Sequence, residues 1–194
     1  MFVWPYALPF WVAYAWAFLP EGLIVARGAR DNRARSQSQD KGSMGVIVCG
    51  GWLGLAAAFA VAKITRFAFP EPARFDLYWA GIVLLILGSL LRRHCWRMLG
   101  EHFTGNVVAR ADQVVVQRGA YKYVRHPSYT AGTMMFTAIG LSLGSWLSTI
   151  IAFGSAVAVY LYRVNVEERA LAAAIGERYV RFMKSRKRFI PFIY

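Results

Sequence analysis

HPSYTAGTMMFTAIGLSLGSWLSTIIAFGSAVAVYLY, residues 126–162, is a run of 37 residues without Asp, Glu, Lys or Arg. As one straight helix it would extend about 56 Å at 1.5 Å per residue, nearly twice the roughly 30 Å of a bilayer's hydrocarbon. The run must therefore fold back. Gly140, Gly144 and Ser145 near its middle supply the break, and Trp146 supplies an interfacial anchor. Both mouths of the resulting helical hairpin are polar: Lys122, Arg125 and His126 stand at its start, and Arg163, Glu167 and Glu168 follow its end. Ionisable groups are costly to hold at the lip of a membrane segment, which argues that they have a task.

Working outward, residues 1–20, 42–62 and 77–91 are also free of charge. A membrane-crossing helix needs about 20 mostly apolar residues, so each of the first two suffices. The third has 15 uncharged residues, and Arg92 and Arg93 are expected to lengthen it by extending their aliphatic stems toward the interface. Pro5, Pro9 and Pro20 are read as lying near the ends of the first helix, where proline is tolerated best. The expectation is an all-α integral membrane protein forming one membrane domain over residues 1–194. Its spans are set at 1–26, 44–66, 77–98, 128–143 and 146–164, with residues 99–127 and 165–194 as a cytosolic portion.

The basic residues orient these five passes. Five Lys and Arg lie between Arg27 and Lys41, seven between Arg92 and Arg125 and eight from Arg163 to Arg188, while Lys63, Arg66 and Arg74 alone fall between the second and third passes. The positive-inside rule then places the N-terminus outside and the C-terminus in the cytosol.

With 57% hydrophobic residues, 17% charged residues and a net charge of +13, the chain is too apolar for an ordinary soluble domain. The same charge asymmetry accounts for the basicity without nucleic acid, and Lys184, Arg186, Lys187 and Arg188 read as an anchor to anionic headgroups. Cys49 and Cys95 are 46 positions apart and lack metal-ligand spacing, so they read as buried thiols and no metal site is expected. The first 20 residues have no basic leader or obvious cleavage site, so the first helix is expected to stay. No glycine-rich phosphate fingerprint is present, which excludes a Rossmann-type site.

Two polar pieces remain for chemistry. Residues 99–125 contain only short β-branched runs, too little for a sheet domain, whereas the alanine-rich residues 167–189 are helical in pattern and are expected to continue the last membrane helix into the cytosol. Arg163 and Glu167, four positions apart, share a face of that helix with Tyr160. On spacing alone this is equally a surface salt bridge, and RHPS at 125–128 is equally a capped interfacial turn.

Taken together, HFTGNVV (102–108), VVVQRGAYKYVRHPSYTAG (114–132), YRVNVEERALAAAIGERYVRF (162–182) and IPFI (190–193) resemble the isoprenylcysteine carboxyl methyltransferases, integral membrane enzymes related to phospholipid methyltransferases. The resemblance runs from about residue 88 to the end. It implies methyl transfer from S-adenosyl-L-methionine to the carboxylate of a lipid-linked cysteine, with the lipid tail passing between membrane helices. It also implies that Arg163, Arg125 and Glu167 serve catalysis, and that Gln117, Gly119, Tyr121, Tyr123, His126, Pro127, Tyr129, Glu167 and Glu168 bind the cofactor. The family's FTHN-like segment stands here as Phe103, Thr104, Gly105 and Asn106, with glycine in place of a side chain that can donate a hydrogen bond. Short loops resemble prokaryotic relatives, which implies a prokaryotic cytoplasmic membrane and leaves the natural acceptor open. Two other readings stay in play: phospholipid N-methylation through the same cofactor site, and a non-catalytic scaffold whose charged rims pair only with lipid headgroups.

Overall fold

The computed structural model describes residues 6–33, 42–100, 107, 109 and 113–190. Six α-helices and two short 3-10 turns make up the regular structure among them, with no strand: α1 Ala7–Arg33, α2 Ser43–Val61, α3 Ala73–Leu99, α4 Pro127–Ser142, α5 Trp146–Ile175 and α6 Glu177–Ser185. Helices α2, α3 and α5 are long and apolar enough to cross a membrane, with mean hydropathies of 2.0, 1.6 and 1.5. Leu53, Val83, Leu87 and Ile150 are exposed on their outer faces, as side chains that meet lipid tails are.

In space the helices form a row in the order α1, α3, α4, α5, α2. The row curls, so that its two end helices, α1 and α2, which come first in the sequence, face each other. They meet through rings: Trp11 stacks on Phe59 at 6.1 Å, and Phe10 meets Phe59 edge-on at 6.2 Å. The core runs along the inside of the row, with Leu85, Met135, Ile139, Ala152 and Ala156 fully buried.

The break between α4 and α5 falls at Gly144, whose φ of 72° suits glycine, and at Ser145, whose side chain caps α5 by accepting from the Ser148 amide at 3.3 Å. Gly140 belongs elsewhere. It lies inside α4, where a Cβ would stand 2.4 Å from Thr149 Cα, so it lets the two backbones cross closely and does not end the helix.

Several expectations are corrected. The second helix ends at Val61, short of residue 66, and a 3-10 turn occupies Thr65–Phe67. Pro20 lies inside α1, because that helix continues to Arg33. Proline has no N–H, so it deprives the Trp16 carbonyl four residues earlier of its helical partner. Arg93 on α3 donates to that carbonyl and places its guanidinium 4.1 Å from the centre of the Trp16 ring. Arg92 and Arg93 therefore do not reach for the interface. Both turn onto α1, Arg92 through a 2.7 Å ion pair with Glu21.

Candidate functional site

Pro127 opens α4 at its first position, with His126 at the N-cap. The His126 side chain makes no cap bond. Its Nε2 lies 3.0 Å from Glu168 Oε1 on α5, so the interfacial-cap reading gives way to a link between the two helices of the hairpin. Glu168 also meets Arg125 Nη2 at 3.1 Å and Arg188 Nη2 at 2.8 Å, so one carboxylate gathers three basic side chains. The backbone closes around the same point: Arg125 N donates to Lys187 O at 2.8 Å, His126 N to Arg188 O at 2.9 Å, and Arg125 Nη1 to Met183 O at 2.8 Å. The segment after α6 thus fastens onto the approach to α4.

One helical turn away a second group forms. The Tyr129 hydroxyl donates to Glu167 Oε2 at 2.7 Å and accepts from Arg163 Nε at 3.4 Å, joining two residues whose spacing suggested a direct salt bridge. Arg163 Nη1 donates to Ser43 Oγ at the first residue of α2. The Tyr129 ring lies between His126 (5.7 Å) and Tyr160 (5.0 Å), nearly parallel to both. Arg92 stands over Tyr160 at 5.9 Å and Trp96 at 5.4 Å, and donates to Ser128 O at 2.8 Å. Arg163, His126 and Glu168 are 4%, 5% and 6% exposed, so their charges interact across little water. Burial pushes the Tyr121 and Tyr179 hydroxyls upward, which keeps them protonated and able to donate near Glu167.

These groups line a cavity of about 920 Å³, at the upper end of the range for small-molecule sites. At its polar end stand Arg125, His126, Tyr129, Arg163, Glu167 and Tyr179. From there it continues between α1 and α2, with Phe136, Val159 and Tyr160 at the back. His126 and Glu167 converge on one space.

Of the residues expected to bind or act, Arg125, Arg163, Glu167, Tyr121, His126 and Tyr129 face this cavity. Glu168 stands behind His126 and Arg125. Gln117, Gly119, Tyr123 and Pro127 are not on its wall. Gln117 and Tyr123 point to solvent, and Pro127 is buried at the start of α4. Gly119 has a φ of 58°, and a Cβ there would come 2.8 Å from His94 Nε2, so its role is to let the chain turn against α3. Phe103, Thr104, Gly105 and Asn106 lie outside the described residues. The sequence reading missed Glu21, Arg92 and Ser43. Glu21 directly follows the proline that ends the first uncharged run, and a carboxylate at that lip was the available signal of a task, though not of its partner.

The phospholipid methyltransferase family model matches residues 77–178. The protein-S-isoprenylcysteine O-methyltransferase of Dictyostelium discoideum is 31% identical over 145 residues, covering 73% of this chain and 61% of that protein. Its Saccharomyces cerevisiae counterpart is 30% identical, covering 71% and 62%. A solved structure of a eukaryotic intramembrane Ras methyltransferase, an isoprenylcysteine carboxyl methyltransferase, superposes with a TM-score of 0.62 at 25% identity, over 73% of this chain and 52% of that one. The chain thus spans about half to three fifths of the length of these relatives, all of them eukaryotic. With its apolar helices and this match over more than half its length, the chain is an integral membrane protein that belongs to the phospholipid methyltransferase family and aligns there with the isoprenylcysteine carboxyl methyltransferases.

Proposed function

We propose that this protein is an S-adenosyl-L-methionine-dependent O-methyltransferase that esterifies the carboxylate of a lipid-modified, isoprenylcysteine-like acceptor at the cytosolic membrane face. The observation that carries this reading is one continuous cavity that is polar and arginine-lined at one end and apolar between two helices at the other. Such a space takes an amphipathic acceptor with its charged head beside a soluble cofactor. The passes are α1 to α5, with the N-terminus outside and α6 in the cytosol. The loop before α4 and the chain after residue 165 make the cofactor-binding portion.

The residues present fit that cofactor. The cavity has room for it beside an acceptor tail, and Arg125 Nε is a buried donor with no hydrogen-bond partner among the described residues. His126, Tyr129 and Tyr121 would frame its adenosyl portion, Glu167 would take its amino group or ribose, and Glu168 would fix Arg125 and His126 around it. When bound, S-adenosyl-L-methionine supplies a methyl group made electrophilic by a sulfonium. The chain's own residues do the rest by position. A terminal carboxylate with an ordinary pKa of about 3.5 is ionised at neutral pH, so no general base is needed. Arg163, held by Ser43 and Tyr129, would face the carboxylate with its buried charge and aim one oxygen. Arg125 is committed to Glu168 and Met183, which leaves a single arginine on the nucleophile and preserves its reactivity. Water excluded from the buried site strengthens each contact.

A second reading, phospholipid N-methylation, is favoured by the matched family's description. Radiolabelled cofactor separates the two in nanodiscs containing phosphatidylethanolamine and S-farnesylcysteine. Base-labile label on the thioether acid supports carboxyl methylation, and base-stable label on the phospholipid replaces it with the second reading. The absence of label from both, together with no calorimetric heat on adding S-adenosylhomocysteine, removes both.

A further inference from the structure

Among the described residues, three arginines stand on the wall of the cavity: Arg92, Arg125 and Arg163. An acceptor's carboxylate reacts beside one of them, and any other cation on the wall is a rival seat for it. Arg125 is occupied by Glu168 at 3.1 Å. Arg92 is occupied from α1, where Glu21, itself on the cavity wall, pairs with its Nε at 2.7 Å. Arg92 Nη1 also donates to Ser128 O at 2.8 Å, and its guanidinium lies over Tyr160 at 5.9 Å. Ser128 O belongs to the peptide that leads into Tyr129, and Tyr160 stacks on the Tyr129 ring at 5.0 Å, so Arg92 bears on Tyr129 from two directions. The pair is largely withdrawn from water, with side chains 13% and 17% exposed. A buried ion pair adds little net stability over an apolar pair of the same size, whereas removing one partner leaves the other as an uncompensated charge. A carboxylate set opposite Arg92 on a cavity wall inside a membrane protein is therefore better explained by a task than by stability alone.

We propose that Glu21 is a positioning residue of the acceptor site: by neutralising Arg92 and holding it against Ser128 and Tyr160, it reserves the acceptor's carboxylate for Arg163. The inference rests on the carboxyl-methylation reading and adds to it a residue outside the α4–α5 hairpin that decides where the acceptor lands. With Glu21 in place, the charge of Arg92 is balanced and its N–H groups are turned to Glu21 and Ser128. Without the Glu21 charge, Arg92 is an unpaired cation on a wall of low dielectric, and it draws a carboxylate strongly. An acceptor seated there fills the cavity out of line with the methyl donor and does not react. Without Arg92 the converse holds, because Glu21 becomes an unpaired anion that repels the carboxylate. The two halves of one pair thus shift acceptor affinity in opposite directions. A pair that only fastens α1 cannot do this, since losing either half loosens the same contact.

The test uses the full chain in nanodiscs and two probes: N-acetyl-S-farnesylcysteine, whose carboxylate is its only charge, and its uncharged methyl ester. Equilibrium binding of each is measured beside turnover of the acid. Glu21→Gln should bind the acid about tenfold tighter than the parent while kcat falls by a similar factor, and Arg92→Gln should bind it about tenfold more weakly. The ester should bind all three proteins within about threefold of one another, because it offers no charge to either group. Glu21→Gln combined with Arg92→Gln removes both charges and should return acid affinity to within about threefold of the parent. If one single variant fails to fold, the sign of the shift in the other and its reversal in the double variant decide the matter. Shifts of the same sign in the two single variants, equal shifts for acid and ester, or unchanged acid affinity in Glu21→Gln overturn the proposal. Opposite shifts in a protein that forms no ester would keep the role of Glu21 and sink the methylation reading.

Discussion

Helices α4 and α5 and helix α1 are held in different ways. Where α4 crosses α5, contact is backbone-close and made by small residues, as at Gly140 over Thr149, and His126, Tyr129, Arg163 and Glu168 rise from the two helices at fixed spacing. Helix α1 is fastened by side chains: Glu21 to Arg92, the Trp16 carbonyl to Arg93, and rings at Phe10 and Trp11. Within a bilayer, lipid tails offer apolar surfaces as good a home as another helix does, so close packing and polar contacts decide which helices stay together. The hairpin has both at high density and carries the polar groups. Helix α1 has a few polar anchors on one side and an open cleft on the other, which suits a wall along which a lipid tail can pass.

If that contrast is right, substitutions should differ in size and even in sign between the two regions. The largest effect is expected for Arg163→Ala, which should lower turnover by about a hundredfold or more while the protein still elutes as a folded species in detergent. Arg163→Lys should recover only part of this, because an ammonium does not reproduce the planar guanidinium that Ser43 and Tyr129 hold in place. Near-normal ester formation by Arg163→Ala would remove it from the reaction. Next, Glu168→Gln should cost about 3 kcal/mol of stability, since Arg125 and Arg188 lose their shared carboxylate. A thermal unfolding midpoint equal to the parent's would refute that.

The sharpest comparison is one substitution made in both places. Gly140→Ala forces a methyl group against the Thr149 backbone and should destabilise by about 1–3 kcal/mol. Gly22→Ala on α1, where nothing stands within 4 Å of the new Cβ, should instead stabilise by about 0.5–1 kcal/mol through helix propensity. Shifts of the same sign in the two melting curves would erase the distinction. A modest effect is expected for Arg93→Leu, about 1–2 kcal/mol from the lost ring contact with Trp16 and the lost donation to its carbonyl. A loss several times larger would mean that α1 depends on this anchor more than its other contacts allow.

How far the site was legible in the sequence follows the same divide. Arg163, Glu167, His126 and Tyr129 could be named because they fall in short motifs at the two ends of one uncharged run that resemble a known family, whereas spacing alone left each of them equally a structural group. Glu21 and Arg92 are 71 positions apart on helices that are not consecutive, and no local pattern announces their pairing. Pro20 was misplaced for a related reason. A proline reads as a helix end unless another element satisfies the carbonyl it frees, and Arg93 does so from α3.

The amino-acid order by itself determined that this chain is helical, that it belongs in a membrane and that its polar residues collect at the ends of a hairpin, because the length and charge of each apolar run are local properties that a bilayer tests directly. Only the tertiary structure decided that α1 and α2, the two ends of a curled row, face each other across a cleft, that Glu168 rather than Glu167 gathers the basic side chains, and that Arg92 turns inward. Those outcomes depend on which helices approach closely enough to exclude lipid. That is settled by small residues and polar partners far apart in the chain.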